Sequence, residues 1–332
     1  MKSTKKSVLN TVKILLFVIA ASLIMSGLIL FTVVMSFNKW DFKEVSTVKY
    51  ETVTHEIKNE FTSIDIEVKT ADVIILPSKD EKTTLDVKQE AKMPFSVEVV
   101  DGRLTVKPTN NKKWYDYIGI NFGSTRITLY LPEGDYTALN IKGSTSDICV
   151  PDNFTFDEID VSVSTGAVEC SASANTSARI KTSTGNITFL GKKAGKLDLT
   201  ASTGNIVVKN MSCGDINLKV STGKTILECI SCASIQSKGT TGKISLERVN
   251  ATVKMEIERD TGDVTLDRCD AGEIYITTST GNVKGSLTTD KSFSVHTDTG
   301  RTVYPEFTSG GKCKITTDTG DVIIEITPIP TA

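Results

Sequence analysis

A Thr-Gly pair returns at a fixed interval through the second half of this chain. Its threonines are Thr165, Thr184, Thr203, Thr222, Thr241, Thr261, Thr280, Thr299 and Thr319, spaced 19 or 20 residues apart. The glycines that follow are Gly166, Gly185, Gly204, Gly223, Gly242, Gly262, Gly281, Gly300 and Gly320. A degenerate tenth copy, Gly143-Ser144-Thr145-Ser146-Asp147, lies one step earlier. Self-similarity of this length marks a stacked repeat architecture, in which each unit buries its apolar face only against its neighbours.

The flanks are equally regular. Counting from the Thr as zero, positions −6, −4, +3 and +5 are apolar in 36 of 40 cases over ten copies, the exceptions being Thr225, Ser237, Gly285 and Thr302. In the Thr203 copy they are Leu197, Leu199, Ile206 and Val208. The intervening −5 row is apolar only at Tyr275. Alternation with period two on both sides of a turn predicts two short strands per repeat, one face inward and one in water. The glycines are expected to be structural, because the chain turns sharply after each Thr and one residue there takes positive φ. Position −1 is always Ser, Thr or Asp in the nine copies, and such side chains can bond backbone N–H groups two residues on. A ligand-binding ladder along the same edge is the alternative reading of that row.

Side-chain parity alone does not separate a coil from an antiparallel meander. A long meander with one apolar face lacks a second layer to cover it, whereas a coil covers its own face. Equivalent residues at fixed register also suit in-register stacking. The expected fold is therefore all-β: a right-handed parallel β-solenoid of about ten 19–20-residue coils, roughly 48 Å long, with an irregular β cap.

One transmembrane helix is expected to precede it. Residues 14–37 carry no charge, while Lys2, Lys5, Lys6 and Lys13 come before them with no acid. Twenty-four residues make a helix of about 36 Å, enough for a bilayer core of about 30 Å. A cleavable signal peptide would have a shorter apolar region, so an uncleaved single-pass anchor with a cytoplasmic N-terminus is expected. The chain then divides into a cytoplasmic tail at 1–13, a span at 14–37, a stalk at 38–60, a β cap at 61–135, solenoid repeats at 136–326 and a tail at 327–332. In the cap, Asp101-Gly102 is a hairpin signal. Beyond residue 38 there are 34 basic and 40 acidic residues, a balance that does not suit a nucleic-acid partner.

Catalytic chemistry is hard to assemble here. His55 and His296 lack partners at a recognisable spacing, and neither a phosphate-binding loop nor a dinucleotide fingerprint occurs. No catalytic, cofactor or metal residue is assigned. The Asp-Thr-Gly triplets at Asp260, Asp298 and Asp318 are variants of the repeat, unlike a protease dyad that converges on one site. Seven cysteines is an odd number for an exported protein. Cys213 and Cys232 share position −9 in successive copies, where stacking would bring their α-carbons to about 5 Å, so they form a candidate disulfide. Cys170 and Cys313 fall on inward positions. Trp114, Tyr115 and Tyr117, beside Lys112 and Lys113, are candidate ligand contacts: such rings can stack on a sugar or rest at a membrane interface, or simply plug the first coil.

The repeated Ser-Thr-Gly-Asn turns, the irregular strand region before them and the N-terminal anchor resemble the bacterial "putative adhesin" family of β-strand-repeat proteins, over roughly residues 60–326. The resemblance implies a membrane-anchored envelope protein of unknown function and supplies no catalytic residues. The expected function is non-catalytic binding, adhesion or scaffolding in the cell envelope, with a wall glycan or an envelope protein as partner. An accessory role in an envelope-stress response is the alternative. A polysaccharide-active enzyme on a β-helix is a third reading, for which the −3 row lacks a consistent cluster of acids and bases.

Overall fold

The computed structural model describes residues 2–37, 39–40, 48–114, 123–306 and 309–328. They fall into two compact units. One comprises Met1–Tyr50, Glu90–Lys92 and Lys112–Gly123; the other comprises Glu51–Gln89, Met93–Asn111 and Ser124–Ala332.

The first unit is built on a helix, Lys2–Phe37. Its stretch Leu15–Phe37 is long and apolar enough to cross a membrane. Ser22, Ser26 and Thr32 donate their hydroxyls to the carbonyls of Ile19, Leu23 and Ile29, so three of the four hydroxyls in this run are satisfied within the helix. The helix is closed by paired bonds from Trp40 N to Met35 O (2.8 Å) and Lys39 N to Ser36 O (3.2 Å), with Lys39 and Trp40 at φ 50° and 61°. That pattern is a Schellman cap, made here without glycine. In the same unit Lys112 and Glu90 form a 2.7 Å ion pair with both side chains largely buried, and Ala91 N donates to Lys49 O.

The second unit is an all-β solenoid of about nine turns. Strand Lys193–Thr203 pairs in parallel with Ile206–Thr222, placing Leu197 beside Ile216, Leu199 beside Leu218 and Thr203 beside Thr222. The inward rows form the core: Leu197, Leu199, Ile206 and Val208 are all 0% exposed. Each such side chain contributes roughly 1.5–3 kcal/mol of transfer free energy. Cys170 and Cys313 are likewise buried. At the turn, Gly204 has φ 145°, and a Cβ there would collide with the carbonyl oxygen of Gly185 in the coil below. Glycine is required both by conformation and by the close approach of stacked backbones.

The polar row that fixes these turns is not the one at −1. Ser164, Ser183, Ser202 and Ser221 are exposed, and among the described residues their hydroxyls make no hydrogen bond. Position +2 does this work between coils instead. Asn186 Oδ1 accepts from Asn205 N (2.9 Å), and Asn205 Oδ1 accepts from Lys224 N (2.8 Å). Asp147, Asp263 and Asn282 repeat the contact with Ala167 N, Asn282 N and Asp321 N. A second corner carries another column: Asn210, Cys229, Arg248 and Arg268, each seven residues beyond its Thr, have φ between 51° and 55°.

The regular body stacks in chain order, but both ends do not. At the carboxyl end, Val264–Thr280 pairs with Gly311–Thr319, and that strand pairs in turn with Lys291–Thr299. Val283–Leu287 pairs with Val322–Ile326, which pairs with Thr302–Val303. The last two copies have thus exchanged places, contrary to simple succession. Their inward residues explain the order. The later copy offers Cys313, Ile315, Val322 and Ile324, all at most 2% exposed. The earlier one offers Thr302 and only half-buried Phe293, Val295 and Tyr304. The more apolar ribbon occupies the interior position and the poorer one closes the end.

The amino end mirrors this. Ser63–Val68 lies between Arg103–Pro108 and Gly134–Thr145, parallel to both, and Ala71–Pro77 lies between Thr125–Leu131 and Ile148–Val150. Coil stacking therefore reaches back to residue 63, before the regular period begins. Phe95–Val100 pairs antiparallel with Arg103–Pro108 across Asp101-Gly102, as the hairpin signal predicts. Thr83–Glu90 pairs antiparallel with Thr125–Leu131 and also with Tyr50–Ile57, a strand in the segment expected as a stalk.

Candidate functional site

The interleaved amino end brings four distant segments around one cleft. Residues 57–62, Glu81 and Thr83, Gly102, and Pro132 and Tyr136 enclose about 610 Å³. Its aromatic wall is continuous with the core. Phe61 stacks on Tyr136 (ring centroids 6.3 Å apart, planes 28° apart), and Tyr136 packs in turn on the fully buried Phe154 and Phe156 at 6.2 and 5.7 Å. Tyr136 donates its hydroxyl to Pro132 O (2.9 Å), which fixes the ring, and burial raises its phenol pKa. Lys58, Asn59, Glu60 and Glu81 form an exposed polar rim. A half-buried aromatic wall edged by carboxylate, amide and ammonium groups suits a ligand with one apolar face and several hydroxyls.

The residues singled out in the sequence lie elsewhere. Trp114 is 76% exposed and belongs to the helix-bearing unit, while Tyr115 and Tyr117 lie outside the described residues. The glycine column lines the turn edge, and every member except Gly281 takes positive φ. Cys213 and Cys232 are register partners, as their spacing predicts, yet both stand as free thiols. Burial is the main cause that pushes each thiol up to about 12, so little thiolate exists at neutral pH to start oxidation. Cys229, three residues from Cys232, sits at the left-handed corner and accepts from Arg248 Nε at 3.2 Å, whereas Cys232 is buried. The pair does not converge as a redox motif.

Sequence reasoning missed a buried cation. Arg259 is 4% exposed, yet it stands inside the solenoid without a carboxylate partner among the described residues. Its Nη2 donates to Ser237 Oγ (2.9 Å) and Thr225 Oγ1 (3.2 Å), and its Nη1 to the carbonyls of Glu258 (2.8 Å) and Ser237 (3.2 Å). Thr225 and Ser237 are two of the four exceptions to the inward apolar pattern, and they exist to receive this guanidinium. Gly239 completes the fit, since a Cβ there would stand 3.0 Å from the guanidinium carbon. Desolvation pushes the Arg259 pKa down to about 10, which leaves it charged at neutral pH. The signal was present as two polar residues at inward positions of one strand, Thr225–Thr241.

The family is decided by a match to the Toastrack DUF4097 domain over residues 61–225 and 192–324. The chain belongs to the Toastrack DUF4097 family. No curated protein matches it. Among solved structures it is similar to a "putative adhesin" from Bacteroides fragilis, at 17% identity and a TM-score of 0.40, over 83% of this chain and 97% of that one. Another "putative adhesin", from Parabacteroides merdae, has 15% identity and a TM-score of 0.45, over 84% and 98%. A "putative lipid binding protein" from Parabacteroides distasonis has 12% identity and a TM-score of 0.31, over 83% and 97%. At these scores the likenesses carry no functional inference, and the Toastrack site must be argued from its own geometry.

Proposed function

We propose that this Toastrack chain is a membrane-anchored, non-catalytic binding protein of the cell envelope that takes a glycan at the Phe61–Tyr136 cleft. The observation that carries the reading is the aromatic wall itself. It is anchored in the core through Phe154 and Phe156 and edged by Glu60, Glu81 and Lys58. A sugar ring offers an apolar face to such a wall and hydroxyls to such a rim. Residues 14–37 serve as the anchor, residues 1–13 stay in the cytoplasm, and the solenoid is displayed outside; the internally satisfied hydroxyls of Ser22, Ser26 and Thr32 support this placement. The 327–332 segment is a short tail.

The test is retention of cell-wall glycan fragments by the full chain in detergent micelles. Phe61→Ala is expected to weaken retention at least tenfold, with the melting temperature close to that of the parent. Retention that is absent in the parent, or equal in the variant, would remove the glycan reading.

A further inference from the structure

The helix-bearing unit carries a second feature that its span does not account for. At the Schellman cap that ends the apolar helix, Phe37 is 84% and Trp40 57% exposed. Trp114, far along the chain, belongs to the same compact unit, and 76% of its surface is exposed. Two residues before it, Lys112 is paired with Glu90 at 2.7 Å, with the two side chains only 9% and 12% exposed. Lys113 stands exposed beside Trp114, and Lys39 beside Trp40. An indole combines an apolar body with one N–H donor and partitions to the boundary between hydrocarbon and headgroups. Adjacent ammonium groups favour anionic headgroups over neutral ones.

We propose that Trp114, with Lys113, rests in the headgroup layer of an anionic phospholipid bilayer, as a second membrane contact beside Trp40 and Lys39. The proposal rests on the reading of residues 14–37 as a membrane span. A bilayer is chosen over a soluble glycan because the exposed indole belongs to the unit that carries the apolar helix. The contact would fix the rotation of this unit about the helix axis, which a single span leaves free.

The chain contains two tryptophans, Trp40 and Trp114, so each can be made the sole reporter. Full-length Trp40→Phe is placed in vesicles of phosphatidylcholine and phosphatidylglycerol in equal parts, with bromine on the acyl chains at shallow or deep positions. Trp114 emission is expected to be blue-shifted and quenched more by shallow than by deep bromines, with quenching reduced in phosphatidylcholine alone and in Lys113→Gln. Trp114→Phe reports Trp40 in the same way. Quenching of Trp40 without quenching of Trp114 overturns this inference and leaves the anchor standing. Quenching of neither overturns both. Equal quenching of Trp114 in neutral and anionic vesicles overturns the role given to Lys113.

Discussion

Between residues 134 and 287 every coil rests on its neighbour in sequence, whereas at both ends the order in space departs from the order in the chain. The body and the ends use the same strand, turn and inward alternation. They differ in how uniform the apolar rows are. In the body adjacent copies are nearly interchangeable, so succession wins because it needs only a short connection. At the carboxyl end, Thr302 and the half-buried Val295 make one copy a poor filling, and a longer connection is tolerated to place Ile315, Val322 and Ile324 inside. Local regularity sets what a coil looks like; differences between coils set where each one goes.

Three perturbations probe that contrast. The largest effect is expected from Gly204→Ala compared with Gly134→Ala. Both glycines have positive φ, but only Gly204 faces a backbone oxygen of the coil below, while nothing lies within 4 Å of a Cβ at Gly134. Loss of about 4 kcal/mol or failure to fold is expected for the first, and about 1–2 kcal/mol for the second, by urea melts. Similar losses at the two sites would mean that stacking distance is not what demands glycine in the body.

The second concerns a buried polar cluster within the body, Arg259 with Ser237 and Thr225. Arg259→Met is expected to cost about 1–3 kcal/mol, because the hydroxyls of Ser237 and Thr225 stay buried without their donor. Adding Thr225→Val and Ser237→Val should recover the loss or exceed the parent, since a dry apolar packing often matches a buried charge. A triple variant less stable than the single one would show that the guanidinium itself holds these coils together.

The third is confined to the carboxyl end and is the smallest. Lys291 is 4% exposed and pairs with Asp270 at 2.6 Å. Burial alone pushes the Asp270 carboxyl up, but hydrogen bonds from Lys291 and Thr289 and the Lys291 charge bring it below its ordinary value. A depressed carboxylate contributes stability that is fully present above its unfolded pKa of about 3.9 and is lost as pH falls through the folded value. Hydrogen exchange at 291–303 is expected to accelerate below about pH 4 while 193–222 keeps its protection, and Asp270→Asn should flatten the dependence. Uniform acceleration in both segments would mean that the ends and the body share one acid-labile element.

The repeat made the solenoid legible. Period, alternation and glycine together specify parallel strands with a shared inward face, and the register of Cys213 on Cys232 follows from counting alone. The turn ladder was legible too, in Asn186, Asn205, Asp263 and Asn282, although in the sequence it is less uniform than the serine row. Periodicity says which residues align and is silent on which copy neighbours which, so the exchanged ends stayed hidden. The cleft was hidden for the same reason: Phe61 and Tyr136 become neighbours only because Ser63–Val68 lies beside Gly134–Thr145. Trp114 was visible as an unusual residue, while its place in the unit with the helix depends on packing that no spacing records.

The exchanged carboxyl end also bears on force. Strand Val322–Ile326 is gripped on both flanks, by Val283–Leu287 and by Thr302–Val303. A pull on this strand must therefore shear two ladders at once instead of peeling one open bond by bond. Tension drawn through Val322–Ile326 would meet a fastening seated between two neighbours.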